Sequence, residues 1–278
     1  MASAHKQIST KIEKKRMKRM GWFWIALFCC LTVVAQAADH VKGDGKLTTK
    51  KITIDDFNAV KMDGVIDFTY IQSNDPSSIE ITIDSNLHPY INIDVKDRML
   101  SIGFKGAKVD HYTKFVVKAN SRWLSEARIY GNANFMVNTE LTGDELKVKT
   151  NDNSLIQFKK TVKVGKLDLN VTGSANVVVA DVQANQVDCD IDGSGSITIK
   201  QGNAQQGKFN VISSGDIHSL GLLVSQANCN MKGSGTIEIH ATDNLKTSVV
   251  GKGKIRYKGT PTMDKNFVVG KGSVEQVK

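Results

Sequence analysis

The residues best placed for chemistry form a short acidic run. Asp188, Asp190 and Asp192 alternate through V-D-C-D-I-D-G-S-G-S-I-T-I at 187–199. Carboxylates two apart on an extended chain leave by one face, where they could share a hard cation such as calcium. The G-S-G that follows at 193–195, and again at 233–235, could cradle a phosphate. Both ideas meet a plainer alternative. The repeat-type calcium pattern G-G-x-G-x-D is missing, and Asn170, Asn210 and Asn230 stand at positions equivalent to Asp190, so an outward polar ladder is the better reading. A phosphate cradle needs a helix N-terminus behind its glycines, whereas each G-S-G here leads into a strand-like segment. The glycines read as corners.

Other constellations are thinner. His88, His111, His218 and His240 show neither H-x-H nor H-E-x-x-H spacing, which gives a metal site little support. No G-x-S-x-G elbow marks a nucleophile. Asp188, Asp190 and Lys208 could sit where polysaccharide lyases and hydrolases built on parallel β-helices keep their catalytic groups. The connections are short for such a groove, and Trp123 is the one tryptophan beyond residue 37, leaving no aromatic platform for sugars. The expectation is no catalytic residue, no metal and no cofactor.

What positions these residues is a repeat. Corners fall at Gly131, Asp152, Gly173, Gly193, Ser213, Gly233, Gly251 and Gly270, 18 to 21 residues apart. Two residues on comes a small one: Ala133, Ser154, Ala175, Gly195, Gly215, Gly235, Gly253 or Gly272. Four residues on comes a large apolar one: Phe135, Ile156, Val177, Ile197, Ile217, Ile237, Ile255 or Val274. Such a period means a solenoid. Alternate residues of a strand face one way, so the even offsets should stack inward and the odd ones, Asp188, Asp190, Asp192 and Lys208 among them, should face water. The small residue two past the corner is expected to admit close backbones and, where it is glycine, a positive φ. Asp152 and Ser213 depart from glycine at the corner itself.

The same register bears on Cys189 and Cys229. They share a slot two units apart, with Phe209 between them. Strands stack ~4.8 Å apart, which separates the two by roughly 9.6 Å, beyond the ~7 Å reach of a disulfide. Buried free thiols are expected.

The N-terminus has the pattern of an export signal. Seven Lys/Arg precede the charge-free run at 21–34, and Ala35-Gln36-Ala37 places the cut between Ala37 and Ala38. An uncleaved anchor is the alternative, although fourteen apolar residues are short for a span. Phe28 before Cys29 argues against lipidation. The chain of 278 residues has a formal charge of +9; beyond residue 37 it holds 30 basic and 27 acidic residues, which withdraws any case for nucleic acid. Residues 38–50 read as a flexible leader and 51–120 as a β-strand region, with a hairpin about Lys96-Asp97-Arg98. The solenoid proper is expected over 121–278, with 51–278 as one continuous domain. No helical stripe occurs.

G-S-G-x-I at 193–197 and 233–237, its drifted copies, the opening strand Met62-Asp63-Gly64 and the closing Gly259-Thr260-Pro261 resemble the bacterial head-GIN domain family of putative autotransporter adhesins, a family of unknown function. The likeness runs from about residue 57 to the C-terminus. It implies an exported, β-helical, non-enzymatic protein, and the family has no catalytic residues to carry over. The expected fold is therefore all-β: a right-handed parallel β-helix of about 20 residues per coil with an N-terminal β-rich part. The expected role is a binding or adhesin-like module of the periplasm, outer membrane or cell surface with an unknown glycan or protein ligand. A carbohydrate-active enzyme, or a scaffold assembling as a homo-oligomer through open coil edges, is the alternative.

Overall fold

A computed structural model describes residues 39–278. The export signal of 1–37, the cut between Ala37 and Ala38, and Cys29 and Cys30 lie outside the described residues. Residues 40–278 form one compact unit, and its core residues run from Phe57 to Ile255.

Valine, isoleucine and threonine at alternate positions favour an extended chain with one apolar face, and this chain supplies them every 18 to 21 residues. The product is a parallel β-solenoid of about eight turns with roughly 20 residues per turn. Ile156, Val177, Ile197, Ile217, Ile237, Ile255 and Val274 follow one another in register on successive rungs. All but Val274 are fully buried. The column continues upstream through Phe135 to Phe68, whose rings stack 5.4 Å apart. Each such side chain contributes about 1.5–3 kcal/mol of burial. The columns thus supply both the stability and the register.

The corners obey a steric rule. All eight have positive φ, from 63° at Asp152 and 86° at Ser213 to 140° at Gly193. Asp152 and Ser213 therefore hold the same turn as the glycines, and Asp152 adds a hydrogen bond accepted by its Oδ2 from Gly131 N at 3.1 Å. Positive φ falls on the corner and not two residues later, which corrects the expectation for Gly195, Gly215, Gly235, Gly253 and Gly272. Those are small for a different reason. A Cβ on Gly235 would lie 1.9 Å from Gly215 O of the rung before.

Three expectations about the N-terminal part change. The first rung lies upstream of residue 121: Ala59–Asp63 and Asp67–Gln72 pair in parallel with Glu126–Tyr130 and Asn134–Val137. The segment between them forms a further rung beneath the first, Met99–Phe104 against the former and Val116–Ser121 against the latter. Antiparallel strands Ile91–Lys96 and Ser78–Asp84, with the 3-10 turn Ser85–Tyr90, then close that end over Leu87 and Phe115. The hairpin turn does lie at Asp97 and Arg98, both at positive φ.

The flexible leader is the third. Asp39–Lys42 and Leu47–Thr53 are strands, and the second pairs along its whole length with Ser78–Asp84. Its side chains are exposed, so the order comes from backbone hydrogen bonds, from polar contacts of Thr48 with His88 and Thr49 with Thr82, and from a clamp. Asp84, fully buried, accepts hydrogen bonds from Gly45 N at 2.7 Å and from Thr113 N and Oγ1 at 2.7 and 2.8 Å. Burial alone would raise its carboxyl pKa, but the bonds from Thr113 and Gly45 outweigh this and hold it below the ordinary 3.8.

At the opposite end, among the described residues, the last rung, Thr262–Gly270 and Ser273–Gln276, pairs only with the rung before it and leaves its outer edge open. Val268 occupies an inward column yet is 41% exposed.

Candidate binding surfaces of the solenoid

The outward residues lie where the alternation puts them, in ladders one rung apart. Asn170, Asp190, Asn210 and Asn230 are in register. Asn210 donates to Asp190 Oδ1 at 2.6 Å and Asn230 donates to Asn210 Oδ1 at 2.8 Å. Asp188 is engaged from two sides, by Lys166 Nζ at 3.2 Å and Gln186 Nε2 at 2.8 Å. Asp168, one rung below, is held by Lys147 Nζ at 3.0 Å. The partners of Asp188 and Asp190 are therefore amides and an ammonium, not one another. Asp192 is exposed. Asp168 and Asp188 are nevertheless buried, at 8% exposure, because long neighbours fold over them. The odd-position rule gives direction and misses this cover.

Cys189 and Cys229 are buried free thiols. Phe209 lies in register between them, so two small sulfurs flank one large ring. Burial pushes the Cys229 thiol up to about 12. Burial, with Asp190 and Asp188 adding to it, pushes Cys189 well above 9.0. Neither is a nucleophile in this state.

The histidines are scattered. His88 meets Thr48 Oγ1 at 2.9 Å, beside the N-terminal strand. His218 Nδ1 lies 2.8 Å from Glu238 Oε2, and Arg256 Nη1 binds the other oxygen of that carboxylate at 2.5 Å. This makes a hydrogen-bonded ladder over three rungs, a motif that no local sequence pattern singles out. Among the described residues no group of three His, Cys, Asp or Glu is arranged to hold a metal.

Trp123 is 43% exposed, and the Arg98 guanidinium lies over its ring at 5.4 Å. Arg98 also reaches Asp56 at 3.5 Å.

A shallow, open depression of about 650 Å³ crosses the second corners of four rungs, lined by Glu140, Asp144, Lys163, Gln183, Asn185 and Asn203 among others. Both carboxylates belong to its first rung; the other rungs present amides and an ammonium. Such a wall suits hydrogen bonding to hydroxyl-rich ligands better than paired acid and base across a bond, which needs carboxyls on opposite sides of it.

The family described as "Putative auto-transporter adhesin, head GIN domain" matches residues 56–261. The chain belongs to the head GIN domain family. This head GIN chain is similar to a crystal structure from Parabacteroides distasonis described as a "putative adhesin", with 64% identity and a TM-score of 0.84, over 86% of this chain and 100% of that one. A "putative adhesin" from Parabacteroides merdae is 58% identical with a TM-score of 0.85, over 87% and 100%. A third, from Parabacteroides distasonis, is described as a "putative lipid binding protein"; it is 30% identical with a TM-score of 0.80, over 86% and 100%. No curated protein matches the head GIN chain.

Proposed function

We propose that this head GIN chain is an exported, non-catalytic binding module of the bacterial envelope, adhesin-like in role, which takes a glycan or protein ligand on the flank of its solenoid. The observation that carries the reading is likeness over the whole of two crystal structures described as "putative adhesin", at 58% and 64% identity. The N-terminal pattern of a basic segment, an apolar run and Ala35-Gln36-Ala37 supports export. The polar depression from Glu140 to Asn203 is the place where a glycan would lie across the rungs.

The test is a glycan array probed with the purified protein, followed by incubation with every glycan bound. Saturable binding with the glycan recovered intact is the expected result. Saturable turnover of any of them would overturn the non-catalytic reading in favour of a carbohydrate-active enzyme. A second reading, with a lipid as the ligand, is favoured by the 30% identical relative described as lipid binding.

A further inference from the structure

The charge of this chain is not evenly spread. Residues 246–278 hold eight Lys/Arg against two acids, whereas 38–245 hold 22 against 25. All the excess positive charge of the region beyond the expected cut therefore lies in the last two rungs and their connections. Two of these cations are paired, Arg256 with Glu238 and Lys246 with Asp264 at 3.6 Å. Among the described residues, Lys252, Lys254, Lys258, Lys271 and Lys278 have no carboxylate partner.

Exposed apolar side chains sit on the same rungs. Phe267, Val269 and Val250 are 47%, 50% and 40% exposed, and Val250 and Val269 are in register on the outward face. Val268, exposed through the open end, continues the patch over the lip. Apolar groups contiguous with unpaired cations mark an interaction surface, and the charge restricts what it meets. A second copy stacked on this end would bring an equal positive excess against the first. Nor does the closed N-terminal end offer a matching open rung. An anionic lipid surface complements both features: phosphates meet the lysines, the apolar tips enter the headgroup boundary, and interfacial water and phosphate oxygens satisfy the free strand edge.

We propose that the C-terminal lip of the solenoid, Phe267 and Val269 with Val250 and the lysines Lys252 and Lys271, docks on an anionic phospholipid surface. This rests on the binding-module reading and assigns it a membrane-facing end, separate from the flank where a glycan would lie.

The test is flotation of residues 38–278, which contain the whole core described above, with phosphatidylcholine vesicles made with and without phosphatidylglycerol. The protein should float only with the anionic vesicles, and high salt should release it. Lys252→Gln with Lys271→Gln should weaken binding about 30-fold, and Phe267→Ser with Val269→Ser about tenfold. Lys50→Gln with Lys51→Gln, the same charge change on the N-terminal strand, should leave it unchanged. Circular dichroism melts confirm that each variant is folded. Equal flotation with both vesicle types, no flotation with either, or equal weakening by the Lys50/Lys51 control overturns the proposal. No flotation would leave the lysines as guards of an open edge. A solution dimer that Phe267→Ser dissociates would also overturn it, with a second copy covering the lip. Should vesicles fail while a glycan still binds, this inference falls and the binding module stands; glycan turnover would remove the latter and leave the vesicle result untouched.

Discussion

Cys189 and Cys229 occupy one inward column, held two rungs apart by Phe209. Two small side chains flank a large one, so the ring fills space that a uniform column of leucines would crowd. The thiols serve packing, and their chemistry follows from burial. Thiol reagents should therefore leave the native protein unmodified at pH 8 and label both cysteines once it is denatured, read by mass spectrometry. The Cys229 pKa is raised from 9.0 to about 12, and a raised value means the fold favours the neutral thiol. That contribution is complete below pH 9 and is lost as pH climbs towards 12. Alkaline denaturation should begin in that window, and Cys229→Ala should make the dependence shallower, with the part due to Cys189 remaining.

The corners predict opposite signs for two glycine exchanges. Ser213 holds φ 86° with a side chain that disfavours it. Ser213→Gly should raise stability by about 1 kcal/mol, or the melting temperature by roughly 2–4 °C. Gly233, one rung on, has φ 137°, and a Cβ there would lie 1.9 Å from Ser213 O. Gly233→Ala should cost more than about 3 kcal/mol, because backbone must move. Thermal melts of the two variants check both.

Asp84 ties the N-terminal strand to the closed end of the stack. Its pKa is depressed, so its ionised form stabilises the fold. That stability is fully present above pH 3.8 and is lost as pH falls through the lower folded value. Protection of the Leu47–Thr53 amides, taken relative to the intrinsic exchange rate at each pH, should be high at pH 7 and fall below pH 3.8, ahead of the rungs beyond Glu126. Asp84→Ala should remove that protection at pH 7, at a cost of about 2–3 kcal/mol.

Asp188 and Asp190 are satisfied by amides and an ammonium group, and Asp192 is exposed. A calcium chelator should leave the melting temperature unchanged. Asp188→Ala should lower stability by about 1 kcal/mol, since Lys166 and Gln186 lose their acceptor while the half-exposed ammonium regains water. A chelator-induced drop in melting temperature would restore calcium to the Asp188/Asp190/Asp192 face.

Legibility in the sequence tracked the physics of repetition. From Gly131 on, near-equal spacing assigns the side chains flanking each corner inward or outward, because one register serves those strands on every rung. Gly64, a corner at φ 117°, falls outside the 18- to 21-residue period because the inserted rung and closing strands separate it from Gly131. The part of the strand Leu47–Thr53 that precedes Lys51 carries no such signal because its side chains are exposed: a backbone edge, polar contacts of Thr48 and Thr49 and the Asp84 clamp order it, and none of these leaves an apolar pattern. Sequence does not separate the corner from the position two residues on, because both favour glycine, one for its torsion and the other for its lack of a Cβ. At the candidate surfaces, the Glu238 ladder and the polar depression join residues from several rungs, so no local motif announces them. The basic, apolar lip was visible in composition only once the last two rungs were known to lie together at an open end.

Export is the claim on which the functional reading turns, and the buried thiols make it directly measurable. Ile52 is 42% exposed on the N-terminal strand, so Ile52→Cys, with Cys29 and Cys30 replaced by serine, adds one accessible thiol beside the buried Cys189 and Cys229. Bacterial cells expressing this variant would be treated with a maleimide that does not cross the inner membrane, and the protein then isolated. Labelling at Ile52→Cys in cells with an intact inner membrane is the predicted result. Labelling that appears only after that membrane is broken would contradict it.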